Sequence, residues 1–386
     1  MKRIVYIQYT NPAGYPPLEH SSTLFANAGW EVLFLGTSAI GTQALRFPPH
    51  PHITVRQLSF PAAGWRQKLH FAWFLLWGFG WVLRWRPQWV YASDPLSCPL
   101  ALLLSYLGVL VIYHEHDSPV VPKQQTNSVV SVWFQRVLLL RAELARRAVC
   151  CVLPNAQRAQ WFDEEMNNAT RTVCVWNCPT QDEVVPPRPL PVGKTVRVVY
   201  HGSLNAVRLP LTVLYALAQL PPIVTLSIVG YETVGHPGYL ATLRERAQAL
   251  GLLSRVEFVG SLPQRKELLS HCRQGDVGIA FMPRDTTDLN EQHMTGASNK
   301  PFDYLACGLA LLVSDRPDWR TMFVESGYGL ACDPENAESI AAALRWFLEH
   351  LVEMREMGDR GRQRIAAEWH YERQFAPVLA ILNGRT

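Results

Sequence analysis

The run Asn299-Lys300-Pro301-Phe302-Asp303 sets a cation and an acid three residues apart, behind the small polar stretch Gly296-Ala297-Ser298. Ser298 or Asn299 can cap a helix here, and Pro301 is tolerated in a first turn, where its missing N–H costs nothing. Free N–H groups and partial positive charge make such a helix start a phosphate site. Lys300 adds a mobile full charge. Asp303, one turn on, would face whatever the phosphate carries, and a carboxylate accepting two hydrogen bonds suits the vicinal hydroxyls of a ribose. Spacing alone weighs equally for a capped helix with an exposed Lys–Asp pair, worth roughly a few tenths of a kcal/mol.

His114-Glu115-His116-Asp117 is the second concentration of chemistry. It ends the apolar run Val111-Ile112-Tyr113, where a buried strand has no need of four polar side chains. Glu115 and Asp117 are candidates for acid–base work. A zinc site would need ligands that this segment lacks. The loop Asn11–His20 holds Gly14, which would let the backbone approach a ligand, and three prolines that shape it. Asp94, in Ser93-Asp94-Pro95, stands at another strand end.

Short Val/Ile/Leu-rich runs alternating with helical patterns must position these groups, a rhythm that predicts parallel sheets covered by helices on both faces. It is broken by a proline-rich run, 178–194, and then restarts. This predicts two doubly wound α/β domains, 1–180 and 195–368, joined by a linker over 181–194. In such sheets ligands bind beyond the carboxyl ends of the strands, so two facing domains share one cleft. At 386 residues, with 48% hydrophobic and 18% charged residues, the chain has ample core. A net charge of +4 falls short of a nucleic-acid footprint. The eight scattered cysteines, with no CxxC pair, read as reduced thiols of a cytoplasmic protein. The N-terminus reads as a strand rather than a signal peptide, and Asn168 begins a sequon without meaning in the cytosol. No metal is expected.

Two apolar stretches fall short of membrane spans. Phe71–Leu83 is below the roughly 20 residues a spanning helix needs, and Pro99 and Gly108 divide Leu96–Tyr113. Trp65–Arg86 carries tryptophans at 65, 73, 77, 81 and 85, the last four at i,i+4 spacing, with basic residues at both ends. A helix packed on the first sheet accounts for it; the alternative is peripheral contact with the inner face of a membrane.

Asn299-Lys-x-Phe-Asp-Tyr-x-Ala-Cys-Gly308 before an apolar strand resembles the signature of family 4 glycosyltransferases. Tyr200-His-Gly-Ser-Leu204 with Arg208, Leu226-Ser-Ile-Val-Gly230, Val256-Glu-Phe-Val-Gly260 and Val111–Asp117 extend the resemblance over most of the chain. It implies the GT-B fold, with a C-terminal helix, 369–384, crossing back to the first domain. It also implies a UDP- or GDP-sugar donor, a glycan, lipid-linked or small-molecule acceptor, retention of anomeric configuration and no cofactor. Lys300 and Arg208 would then hold the diphosphate, Asp303 the ribose and His116 the donor sugar. Gly14, Gly202, Ser203, Gly230, Ser298 and Asn299 complete the expected donor contacts, with Asp94 and Glu19 on the acceptor side. Thr295 stands where the family keeps an acid, and Ser203 where many members have a basic residue. Two other outcomes fit the resemblance: a nucleotide-sugar epimerase and a catalytically silent binding protein. An oxidoreductase does not, for want of a GxGxxG after the first strand.

Overall fold

The structure is a computed structural model that describes residues 1–62, 64–119, 129–167, 169–189, 195–233 and 235–384, with 129–135 as backbone only. Asn168 and the end of the proline-rich run, 190–194, lie outside the described residues. Seven parallel strands form the first sheet: β1 (Arg3–Ile7), β2 (Glu31–Thr37), β3 (Ile53–Leu58), β4 (Trp89–Ser93), β5 (Leu110–His114), β6 (Cys150–Leu153) and β7 (Thr172–Cys174). Their order is β3-β2-β1-β4-β5-β6-β7. The second sheet is built from β8 (Val196–Leu204), β9 (Val224–Glu232), β10 (Val256–Gly260), β11 (Val277–Ala280), β12 (Ala310–Ser314) and β13 (Gly329–Cys332), in the order β10-β9-β8-β11-β12-β13. Strand order reverses beside β1 and beside β8, and in doubly wound sheets the ligand crevice opens at such a point.

Central strands are buried on both faces, which is why they read as continuous apolar runs. Ten of these strands stand out in the sequence as short apolar runs, whereas β3, β7 and β13 do not. All three lie at sheet edges or are only three or four residues long, and β3 carries Thr54, Arg56 and Gln57 in a half-exposed pattern.

Helices α1 (Pro16–Asn27), α2 (Trp65–Trp85), α3 (Cys98–Tyr106), α4 (Val129–Arg147) and α5 (Ala156–Glu165) cover the first sheet. Phe71, Phe74, Gly78 and Val82 are the buried face of α2. A Cβ on Gly78 would come within 2.7 Å of Leu100, so this glycine lets α2 close onto α3. The tryptophans of α2 do not form one stripe. Each i,i+4 step rotates about 40° around the axis, so Trp65 and Trp73 face solvent while Trp77, Trp81 and Trp85 are half-buried.

The opposite face of the sheet packs Ile4, Tyr6, Leu18 and Phe25 against Tyr371, Phe375, Val378 and Leu382 of the last helix, Tyr371–Asn383. Each such side chain contributes roughly 1.5–3 kcal/mol by leaving water, so the chain's end belongs to its first domain. The connection is not a free tether either. Val185 donates its N–H to Ala306 O at 3.1 Å, and Glu183 is drawn into a buried ion network described below.

Candidate functional site

A cleft of about 400 Å3 opens between the carboxyl edges of the two sheets. Gly14, Tyr15, His116 and Asp117 line it from the first domain, and Ser203, Arg208, Glu291, Ser298, Asn299 and Lys300 from the second. The helix Asn299–Ala306 points its start into this space. Ser298 occupies the N-cap position without a side-chain bond to the first turn, and the Asn299 amide turns to Asp303 instead (2.9 Å). Among the described residues, no side chain therefore caps the positive end of the helix.

Lys300 lies against Gly202, whose φ is +113° and whose added Cβ would meet the ammonium nitrogen at 3.1 Å. Burial, with Arg208 close by, lowers the Lys300 pKa to about 8. Arg208 is positioned by Asn205, whose Oδ1 accepts its backbone N–H at 2.9 Å. Its guanidinium sits 3.4 Å from Glu291, and its Nη1 is buried without a partner. Two cations and an open helix N-terminus thus converge on one volume, an arrangement suited to a diphosphate.

Across the cleft, His116 is held on the end of β5. Its Nε2 is 3.1 Å from Ser93 Oγ, and its backbone N–H donates to Asp94 Oδ1 at 2.9 Å. Burial, reinforced by the Arg158 guanidinium, pulls its pKa down to about 3, so the imidazole is neutral at ordinary pH. Asp94 is opposite in tendency: burial pushes its carboxyl up to about 8. Its φ of +63° is a strained value for a residue with a Cβ. Asp117 is 75% exposed and lies 3.4 Å from Arg158. It borders both the cleft and a second, apolar cavity that also touches Asp94.

Several expected site residues lie elsewhere. Asp303 is fully buried and does not line the cleft: Arg265 grips both its oxygens (2.6 and 3.2 Å) and His201 Nε2 is 3.4 Å away. Arg265 reaches on to Glu183 (2.6 and 3.0 Å), which is 3.3 Å from His20 on α1. Burial opposes ionisation, but Arg265 and His20 hold Glu183 well below the usual carboxylate range. This chain of charges ties both domains to the segment that connects them. Glu19 borders it rather than the cleft, and burial raises its pKa. Glu115 is no acid–base group, because Arg141 clamps both its oxygens and Tyr113 O–H donates to it at 2.7 Å, all out of solvent. Gly230 serves strand packing, since a Cβ there would lie 2.0 Å from Gly202 O. Thr295 is turned away, donating its hydroxyl to Asp318 at 2.7 Å.

Sequence reasoning missed Arg158, Asn290 and Glu291. Arg158 donates to His116 O at 2.9 Å, to His293 O at 3.0 Å and to Asn290 O at 2.6 Å, so one buried guanidinium fixes the strand end bearing His116 against the second domain. Asn290 exchanges two bonds with the Ser118 backbone, at 2.8 and 2.9 Å. Only the polar density of Asp288-Leu-Asn-Glu291 hinted at such a role.

Residues 185–364 match the profile of the family described as glycosyl transferases group 1. The second domain, with the packed end of the connection, is thus similar to that family, and the chain as a whole has the GT-B fold. It superposes along 100% of its length, and of theirs, on sucrose-phosphate synthase from Thermosynechococcus elongatus (17% identity, TM-score 0.70) and on Anabaena HepE in complex with UDP-glucose (15%, 0.65). WaaG, a glycosyltransferase involved in lipopolysaccharide biosynthesis, superposes at TM-score 0.64 with 13% identity, over 98% of this chain and 99% of its own. At such identities the likeness establishes the fold. A search of curated protein sequences returns no match.

Proposed function

We propose that the protein is a retaining glycosyltransferase, transferring a sugar from a UDP- or GDP-sugar to an acceptor hydroxyl. The observation that carries this reading is the convergence of Lys300, Arg208 and an uncapped helix N-terminus opposite His116 and Asp117. The acceptor oxygen attacks the anomeric carbon from the face on which the carbon–phosphate oxygen bond breaks, and the hydroxyl proton passes to the departing diphosphate. Lys300, Arg208 and the helix N–H groups stabilise the charge that accumulates there, so the reading requires no metal or other cofactor. Neutral His116 hydrogen-bonds a donor hydroxyl. With Asp303 sealed and Thr295 turned aside, we assign donor-hydroxyl contacts to Glu291, the carboxylate beside Arg208 in the cleft.

The test is a thermal-shift screen of nucleoside diphosphates and their sugars; at 100 times its dissociation constant a ligand stabilises by about 2.7 kcal/mol. Diphosphate release that depends on an acceptor separates transfer from isomerisation, and binding without turnover would identify a silent relative. His116→Ala is expected to lower kcat about 100-fold, the loss typical of one transition-state contact, while donor affinity stays within about threefold. A fully active variant would remove His116 from the mechanism.

Diphosphate binding should also depend on pH through Lys300. A bound anion raises its pKa above the free value of about 8. Affinity is then level below that pH and falls by up to about tenfold per unit above it. Calorimetry of UDP binding at pH 9 in two buffers of different ionisation enthalpy should register proton uptake. Its absence would separate Lys300 from the diphosphate.

A further inference from the structure

The first domain carries a concentration of exposed apolar side chains among its described residues. Trp65, Leu69, Trp73, Leu76 and Leu83 of α2 are 56–68% exposed. At about 100° per residue they fall within roughly a quarter of the helix circumference, opposite the buried face of Phe74 and Gly78. The same geometry puts Arg66 and Arg84 along one border of the stripe and Lys68 along the other, with Arg86 at the helix end. No acid occurs between Gly64 and Arg86. Further exposed apolar side chains stand on the neighbouring helices: Leu103, Tyr106, whose hydroxyl donates to Glu143 and whose ring lies under Arg147, Leu107, and Leu139 near exposed Arg136. Nine of the sixteen exposed large apolar side chains among the described residues thus belong to α2, α3, their ends and α4, on one side of one domain. Isolated exposed leucines need no explanation, but a concentration of this kind on one side of a domain marks an interaction surface.

A cavity of about 820 Å3 opens at the start of this stripe. Trp65, Phe71, Pro95, Leu96 and Val137 give it apolar walls, and Lys68, Asp94 and Asp117 add charged groups to its lining. The cavity and the cleft that His116 lines share Asp117.

We propose that the outer face of α2 to α4 docks on an anionic lipid surface, and that the cavity admits the chain of an amphiphilic, phosphate-bearing acceptor drawn from it. Charge complementarity selects this occupant. An apolar stripe bordered on both sides by cations suits an interfacial helix, with tryptophans at headgroup depth and basic side chains on lipid phosphates. No described helix is long and apolar enough to cross a membrane, so contact would be peripheral. The acceptor half of the proposal rests on the transferase reading; the docking half does not.

Co-sedimentation with vesicles of phosphatidylglycerol and phosphatidylcholine in equal parts tests docking. Wild type should sediment with them, and about tenfold less with phosphatidylcholine alone or in 0.5 M salt, where the Debye length falls well below 10 Å. The double variant Trp73→Ser/Leu76→Ser should lose vesicle binding while keeping its melting temperature and its UDP-induced shift, since neither side chain is in the core or the cleft. Wild type that stays in solution, or a variant that still sediments, overturns the docking. So does a concentration-dependent dimer without vesicle binding that the same variant abolishes, which would show a second copy on this face. For the cavity, decyl phosphate below its micelle concentration should stabilise wild type and not Lys68→Glu. Equal shifts, or none in wild type, overturn the acceptor half. A missing UDP shift in wild type would overturn the donor reading and leave the vesicle result as the measure of docking.

Discussion

Arg265→Ala is expected to remove about 3–5 kcal/mol of stability, the cost of breaking a buried ion pair by deleting one partner. The substitution strands Glu183 and Asp303, whose oxygens lie 2.6 Å from the guanidinium and have little water to replace it. Burial alone would lower the pKa of Arg265, yet these two carboxylates push it well above the ordinary value. Urea unfolding followed by tryptophan fluorescence reads the loss, and a change below about 1 kcal/mol would mean that the network is solvated. Arg265→Lys should recover only part, because an ammonium cannot serve two carboxylates bidentately. The pH dependence has a definite sign. Glu183 is held below its unfolded value, so its contribution is present above about pH 4.3, the ordinary glutamate pKa, and is lost as the pH falls towards the depressed folded value. The gap between wild type and variant is therefore full at pH 7 and narrows in acid.

Lys300→Ala should lower kcat/KM by about 10^2–10^3-fold, equivalent to roughly 2.7–4 kcal/mol, as when one preorganised donor is taken from a transition-state site. The helix N-terminus and Arg208 remain, which sets the residual activity. Lys300→Arg should not restore the rate, because Gly202 packs against the side-chain end and leaves no room for a planar fork. Steady-state kinetics at pH 7 measures both variants. The alanine variant should also lose the decline in UDP affinity above pH 8. Activity within a few fold of wild type would detach Lys300 from the leaving group.

Much of the fold was legible because buried parallel strands leave an unmistakable trace: Ile4–Ile7, Val90–Ala92 and Leu311–Val313 are apolar on both faces. Edge strands such as β3 leave almost none, since their sequences are half polar. At the site, the cluster of Ser298, Asn299 and Lys300 was legible as a helix start with a cation. His116 and Asp117 were marked by polar residues following a strand that needed none.

Local patterns in the sequence were enough to define two doubly wound domains and the ends of ten of the thirteen strands, and therefore which loops could reach a common cleft. They could not decide where a carboxylate one helical turn into that cleft would find its partner. Asp303 looked free because Arg265 is 38 residues away in the chain and Glu183 lies in what reads as a linker. Only the tertiary structure brings them within hydrogen-bond reach and leaves Glu291 as the carboxylate beside Arg208. The same holds for α2, where composition marks an apolar helix but packing decides which tryptophans the sheet covers. Local patterns follow from the short-range geometry of the backbone, whereas the pairing of charges and the covering of surfaces depend on which distant segments the fold brings together.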